Sequence, residues 1–263
     1  LRQGEQQLTG WLRLAASVGF GRLKLLPLVN SFLATHPGVK IDLRLDDGFV
    51  DLVEQGIDVA VRIGELADSS LVARRIGTTQ RVLIASRGYL RALPKAWRTP
   101  QHPDDLQHLN CIVYTELATR NAWTFTAGPR SKVKAGTSVT IRAQGNLQTN
   151  SSEVVRAAVL SGMGVGFAPT WMFDGEMAAG ELQVLLPHWP TPSLPVHLVA
   201  GHEHVAPGRK RDPGSAFHWR ELQRQLHWSD AAFPAGEMAP PFHPALSSTN
   251  DKSITAADPK KQA

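Results

Sequence analysis

A charged residue inside an apolar run is where this sequence first points to chemistry. Arg62 sits in Val59-Ala60-Val61-Arg62-Ile63, which reads as a buried strand. A guanidinium withdrawn from water must be paired or must serve a ligand. It can clamp a carboxylate through two parallel hydrogen bonds, or it can pair with an acid of the chain such as Asp47; both readings stand. Ser17 follows the apolar run Leu12–Ala16 and precedes a small-residue stretch and a helix. A hydroxyl there suits an anion at a helix N-terminus or acts as an ordinary N-cap. Asp46-Asp47-Gly48 ends the next alternating run, so Asp47 is either a cleft carboxylate or a turn aspartate.

Patterns that would support catalysis are weak. Asp46 and Asp47 are adjacent, and in extended chain their side chains point to opposite sides, a poor acid–base pair. The glycines of Gly162-Met163-Gly164-Val165-Gly166 lack a preceding strand and so miss the context of a dinucleotide fingerprint. They read as packing glycines. His202-Glu203-His204 is a meagre metal motif in a stretch without periodicity. Cys111 is a lone cysteine in an apolar run, with no histidine at catalytic spacing and no partner for an internal disulfide. No enzymatic activity, cofactor or metal is expected.

These residues need elements to hold them. Leu12–Ala16 predicts a strand, and Leu25, Leu26, Val29, Phe32 and Leu33 give one apolar face to a helix over Arg22–Thr35. Pro27 is placed in the first turn of that helix, where a missing N–H costs least. Val39–Leu45 alternates as a half-buried strand, Val50–Gln55 reads as a short helix, and Val59–Ile63 is the third strand. That order predicts a mostly parallel sheet covered by helices, with ligands at the carboxyl ends of the strands. Ser17 and Asp47 then share one mouth by topology alone.

A second α/β unit begins at Arg81. Its strands are Val82–Ala85, Cys111–Tyr114, Trp123–Thr126 and Val139–Arg142, with helices at Tyr89–Leu93 and Ser151–Leu160. Glu153 in the first turn of the latter favours the positive end of the helix dipole. Chain crossings are expected near Gly77–Arg81 and Leu182–Leu186, with Pro195–Ala200 returning as a strand to the first unit.

At 263 residues the chain holds one large domain or two modest ones. The net charge of +5 comes from dispersed lysines and arginines, not the clustered face that nucleic-acid binding needs. No apolar run approaches the roughly 18 residues that cross a bilayer, and residues 1–10 are too polar for a secretory signal. A cytoplasmic protein without membrane association is expected.

The stretch Gly56-Ile57-Asp58-Val59-Ala60-Val61-Arg62-Ile63-Gly64 closely resembles the middle of the effector-binding domain of LysR-type transcriptional regulators. Phe20-Gly21-Arg22-Leu23 with Pro27, His36-Pro37, Asp68-Ser69-Ser70-Leu71-Val72-Ala73-Arg74, Trp123-Thr124-Phe125, Asn150-Ser151 and Gly162-Met163-Gly164-Val165 continue the resemblance in order. It runs over roughly residues 12–199. It implies two Rossmann-like α/β lobes with central mixed sheets joined by a two-stranded hinge, like type 2 periplasmic binding proteins. Lobe 1 would comprise residues 12–80 and 183–200, and lobe 2 residues 81–182. Residues 1–11 would be what remains of an interdomain linker.

The resemblance also implies a function: sensing a small-molecule effector, often an organic or aromatic acid, for a regulator that binds promoter DNA through an N-terminal winged helix-turn-helix absent from this chain. A solute-binding protein of the same fold class is the alternative. Ser17, Asp47, Arg62, Ser86, Asn150 and Ser151 are the implied effector contacts. The family's homodimer or tetramer would form through the helices at 22–35 and 151–160. Departures from its pattern include Ser17 for a frequent proline, Gly19 for a serine, and Arg87 for the proline that usually follows Ser86. From Gly201 onward the family's covering helix is not matched. In residues 201–263 one helix over Ala216–Trp228 is expected to dock on lobe 1 and the remainder to be disordered.

Overall fold

The computed structural model describes residues 8–48, 51–66 and 72–200. Residues 1–7 of the expected 1–11 linker segment, residues 67–70 of the polar turn at Gly64–Ser70, Leu71, and the whole 201–263 tail with its helix lie outside the described residues, while Gly10 and Trp11 of that linker segment belong to the first strand.

The fold is mixed α/β. Strands run β1 (Gly10–Ala16), β2 (Val39–Leu45), β3 (Val59–Ile63), β4 (Val72–Ser86), β5 (Cys111–Tyr114), β6 (Ala122–Thr126), β7 (Ser138–Arg142), β8 (Leu147–Thr149), β9 (Val165–Pro169), β10 (Leu182–Leu185) and β11 (Ser193–Ala200). The sheet order is β2-β1-β3-β11-β4-β9-β5-β8, with β10 also on β4 and β6–β7 a separate hairpin. β1 is parallel to β2 and β3, while β11 is antiparallel to β3 and β4.

β4 joins the two halves. Its first part, up to Gln80, pairs with β11; from Arg81 onward it pairs with β9 and β10. The sequence suggests a break at Gly77-Thr78-Thr79-Gln80, yet the strand runs through. The polar side chains of that stretch find distant partners: Thr79 Oγ1 accepts a hydrogen bond from Trp171 Nε1 at 3.2 Å, and Gln80 Nε2 donates to the Thr191 carbonyl at 3.1 Å. β-branched threonines also suit extended chain.

Helix α1 covers residues 18–35. It opens with an α-turn (Val18–Phe20), widens into a π segment (Gly21–Leu25) and continues as α-helix (Leu26–Thr35). It therefore starts four residues earlier than the periodicity suggests. Pro27 lies well inside it. The π widening, with Leu26 N–H donating to the Gly21 carbonyl, directly precedes the residue that cannot bond to the carbonyl four back. Leu25, Leu28, Val29 and Phe32 pack on Leu12, Leu14, Val61 and Val196 to form the first lobe's main core.

The expected helix at Val50–Gln55 is instead a run of turns over residues 52–56, with Val53 and Glu54 N–H donating to Asp51 Oδ1. In the second half, α2 (Arg87–Ala92) and α3 (Ser152–Leu160) flank the sheet, followed by the short α4 (Asp174–Ala178). One face packs around Trp123, Phe125 and Phe167; the other packs α3 on Ile84 and Ile112. Gly166 lets α3 come close: a Cβ there would lie 2.6 Å from Val159 Cγ2.

Candidate functional site

A cavity of about 180 Å³ lies between the two halves. The carboxyl ends of β1, β2 and β3 supply Ser17, Asp46, Asp47, Arg62 and Ile63. From the other half come Arg81, Tyr114, Glu116, Ser152, Phe167 and Trp171.

Asp47 ties this site together. Its Oδ1 accepts from the Val18 backbone N–H at 2.9 Å and its Oδ2 from the Ser152 backbone N–H at 2.6 Å. One carboxylate thus caps the N-termini of α1 and α3, which belong to opposite halves; both termini favour negative charge. Ser17, the N-cap residue of α1, makes no side-chain capping bond and lines the cavity, while Asp47 does the capping. The turn aspartate is Asp46, whose Oδ1 accepts from Gly48 N–H at 2.7 Å.

Further contacts draw the halves together along α1. Arg22 Nη2 meets Glu153 Oε2 at 2.7 Å and Lys24 Nζ meets Asp174 Oδ2 at 2.7 Å. Both cations stand on the π segment. Gly19 N–H reaches Ser152 Oγ at 3.3 Å, and the Phe20 and Trp171 rings meet edge to face at 5.5 Å.

Two arginines line the cavity, in different electrostatic settings. Arg62 is half-buried, which pulls its guanidinium below the ordinary value, while the nearby charge of Asp46 supports it. Asp47, the partner suggested by the sequence, is committed to the two backbone N–H groups. Arg81 is also pulled down by burial. Its guanidinium lies over the Phe167 ring at 4.9 Å, and its Nη1 is buried with no hydrogen-bond partner among the described residues. Burial, with Asp47, Glu116 and Asp46 close by, pushes the Tyr114 hydroxyl far above its ordinary value and keeps it a neutral donor.

Of the residues singled out from the sequence, Ser17, Asp47 and Arg62 meet in this cavity. Ser86 caps α2, accepting from Tyr89 N–H at 3.1 Å, and lines a different pocket with Gly162 and Glu181. Ser151 caps α3, accepting from Val154 N–H at 3.4 Å, Asn150 is exposed, and neither lines the cavity. The neighbouring Ser152 is the one that enters the cavity. Arg81, Tyr114, Phe167 and Trp171 were not singled out as site residues. For Arg81 a signal existed: like Arg62, it is a cation beside an apolar strand run, Val82–Ala85.

Two α/β lobes sharing a long strand, with a small cavity between them, define a ligand-binding fold of the type 2 periplasmic-binding-protein kind. The sequence profile of the LysR substrate binding domain matches residues 5–211, and the chain belongs to that family, the effector-binding domain of LysR-type transcriptional regulators. It is 34% identical over 209 residues to the HTH-type transcriptional regulator PtxR of Pseudomonas aeruginosa, covering 80% of this chain and 63% of PtxR. An HTH-type transcriptional regulator of Haemophilus influenzae is 31% identical over 199 residues, covering 76% of this chain and 65% of the relative. The chain thus spans just under two thirds of the length of these relatives.

Among solved structures, the regulatory domain of CrgA from Neisseria meningitidis superposes with a TM-score of 0.66 at 24% identity, covering 83% of this chain and 100% of that one. The regulatory domain of AphB from Vibrio vulnificus, treated with cumene hydroperoxide, gives 0.58 at 27% identity, covering 75% and 95%.

Proposed function

We propose that this chain senses a small molecule held between its lobes and that the occupied and empty states differ in how the lobes sit within a DNA-binding regulator. The observation that carries this reading is the cavity itself, walled by both lobes and lined by Arg62 and Arg81 together with apolar side chains such as Val61, Phe167 and Trp171. Because both lobes contribute walls, a ligand that touches both favours one lobe arrangement over others, which is what a sensor requires.

Promoter binding, oligomer formation and a cytoplasmic site of action are proposed for the whole protein, by analogy with relatives named as HTH-type regulators. Regulation, not catalysis, is the proposed activity. Ser86, Asn150 and Ser151 have no proposed place in the cavity; Ser152 and Arg81 take their part.

A thermal-shift screen of a metabolite library tests the reading. A true effector raises the melting temperature with concentration; saturation at about 100 times Kd stabilises by about 2.7 kcal/mol. Ser17→Phe, which fills the cavity from a position making no capping bond, is expected to abolish that response. A library without any stabilising compound, or hits unaffected by Ser17→Phe, would remove the proposal.

A further inference from the structure

We propose that the β6–β7 hairpin binds the phosphate backbone of duplex DNA, at a surface separate from the cavity and from any contact made by an N-terminal DNA-binding domain. The inference goes beyond the sensing role and stands or falls without it.

Charge is dispersed over most of this chain, and the hairpin is the exception. Residues 117–152 contain five lysines and arginines and no aspartate or glutamate. The fold gathers those cations at the two ends of one ribbon. Arg130, Lys132 and Lys134 stand in the loop between β6 and β7, and all three are exposed. At the other end the register sets Arg142 opposite Ala122, and Arg120 lies two residues before Ala122; both arginines are exposed. Among the described residues, none of the five takes part in an ion pair. The 3₁₀ turn Pro103–His108, which packs against β7, carries two acids. Asp105 Oδ2 is taken by the Gln101 and His102 N–H groups, and Asp104 stands beside His102, 3.2 Å from its Nδ1. Against five cations they leave the ribbon positive.

The outer face suits a phosphate partner. Trp123 and Phe125 are packed in the core, so by alternation Thr124 and Thr126 face outward, with Thr140 opposite Thr124 and Ser138 opposite Thr126. The Thr124 and Thr140 hydroxyls meet at 2.8 Å. Lysine, arginine and hydroxyl side chains are what bind phosphate oxygens. The loop is fixed in advance, which lowers the cost of binding: Ser131 Oγ donates to the Gly128 carbonyl and Gly136 N–H to the Ala127 carbonyl, each at 2.8 Å. It also stands clear of the body, since a Cβ on Gly136 would meet nothing within 4 Å.

Spacing favours a duplex. From Ser138 to Arg142 the chain extends by about 14 Å, close to the roughly 12 Å width of a major groove, which admits a two-stranded ribbon. Cations at the two ends of the ribbon then reach phosphates on both walls. Duplex DNA offers one negative charge per about 1.7 Å of axis. An extended acidic peptide, at one charge per roughly 3.3–3.6 Å, offers half that density.

Fluorescence anisotropy of a labelled random-sequence duplex, titrated with the whole 263-residue chain, tests this. Binding is expected in the roughly 10⁻⁴–10⁻⁶ M range of non-specific contacts at physiological salt, with a log–log salt slope of about −0.9 per phosphate met. The loop variant Arg130→Glu, Lys132→Glu, Lys134→Glu should bind at least about tenfold more weakly and flatten that slope by roughly 2.7. The same charge reversed elsewhere, in Lys40→Glu, Arg75→Glu, Arg91→Glu on β2, β4 and α2, should leave the slope nearly unchanged. If circular dichroism shows the glutamate loop variant unfolded, glutamine at the same three positions carries the test.

Absence of binding even at low salt, or equal losses in the two charge-reversed variants, would overturn the proposal whatever the effector screen returns. Poly-L-glutamate competing as well as DNA at equal charge would overturn it too, and would make the ribbon a surface for acidic protein.

Discussion

At the residue scale, the feature that organises the site is a carboxylate used as a double helix cap. Asp47 contributes to holding α1 and α3 at their present separation because each oxygen satisfies a backbone donor on a different lobe. Asp47→Ala leaves both donors without their acceptor. With caps worth about 0.5–2 kcal/mol each, a loss of roughly 1–4 kcal/mol is expected in urea unfolding. Loss of only a few tenths would show that water replaces the carboxylate easily. Cys111 makes a different prediction. It is buried, and burial pushes its thiol from 9.0 to about 11. The folded state therefore holds its proton where the unfolded chain has released it. Stability from this group is intact below pH 9 and falls as pH rises from 9 towards 11, by at most on the order of 2–3 kcal/mol. Tyr114 and Tyr89, also raised by burial, act in the same direction at higher pH. Urea midpoints taken across this range should decline in the native chain and decline less in Cys111→Ala. The native thiol should also resist alkylation at neutral pH.

At the element scale, β6 shows how packing decides stability while polar satisfaction is left incomplete. Trp123 is 1% exposed, packs on Phe167 with ring centroids 5.0 Å apart, and its Nε1 has no hydrogen-bond partner among the described residues. Trp123→Ala is expected to cost about 3–5 kcal/mol. Trp123→Phe keeps most of the apolar area and discards the unsatisfied donor, so its cost should be much smaller. Similar losses for the two would mean that the indole nitrogen has a partner after all. Most strands and α3 were legible in the sequence because their apolar periods match their burial; the short β8 and β10 were not read as strands. The start of α1 and the continuity of β4 were not legible either. The first depends on acceptors from Asp47 and Ser152, and the second on Trp171 and Thr191, all distant in sequence.

At the scale of the whole molecule, the apolar faces of α1 and α3 are largely used within the protomer: Leu28, Val29 and Phe32 in one lobe, Val155 and Val159 in the other. Self-association through these helices would have to use their outer sides, where Leu26 and Val154 are 40% and 41% exposed. We predict a dimer by light scattering at tens of micromolar chain, lost in the double variant Leu26→Asp, Val154→Asp with circular dichroism unchanged. A monomeric native chain at that concentration would remove the idea. An isologous contact of this kind is what two-fold dimers use.

The sequence alone determined the class of fold, most of its strands and the family. Hydrophobic period, turn residues and motif order are local properties, and they survive being read one segment at a time. It also placed Ser17 and Asp47 at one mouth, because strand-end topology follows from element order. Tertiary structure decided which of the remaining polar residues share the cavity. Ser152 enters the cavity where Ser151 caps, Arg81 lines that cavity while Ser86 lines another pocket, and Asp47 serves two helices at once. Each of those outcomes depends on how one lobe lies against the other, a relation between residues about a hundred positions apart that no local pattern encodes.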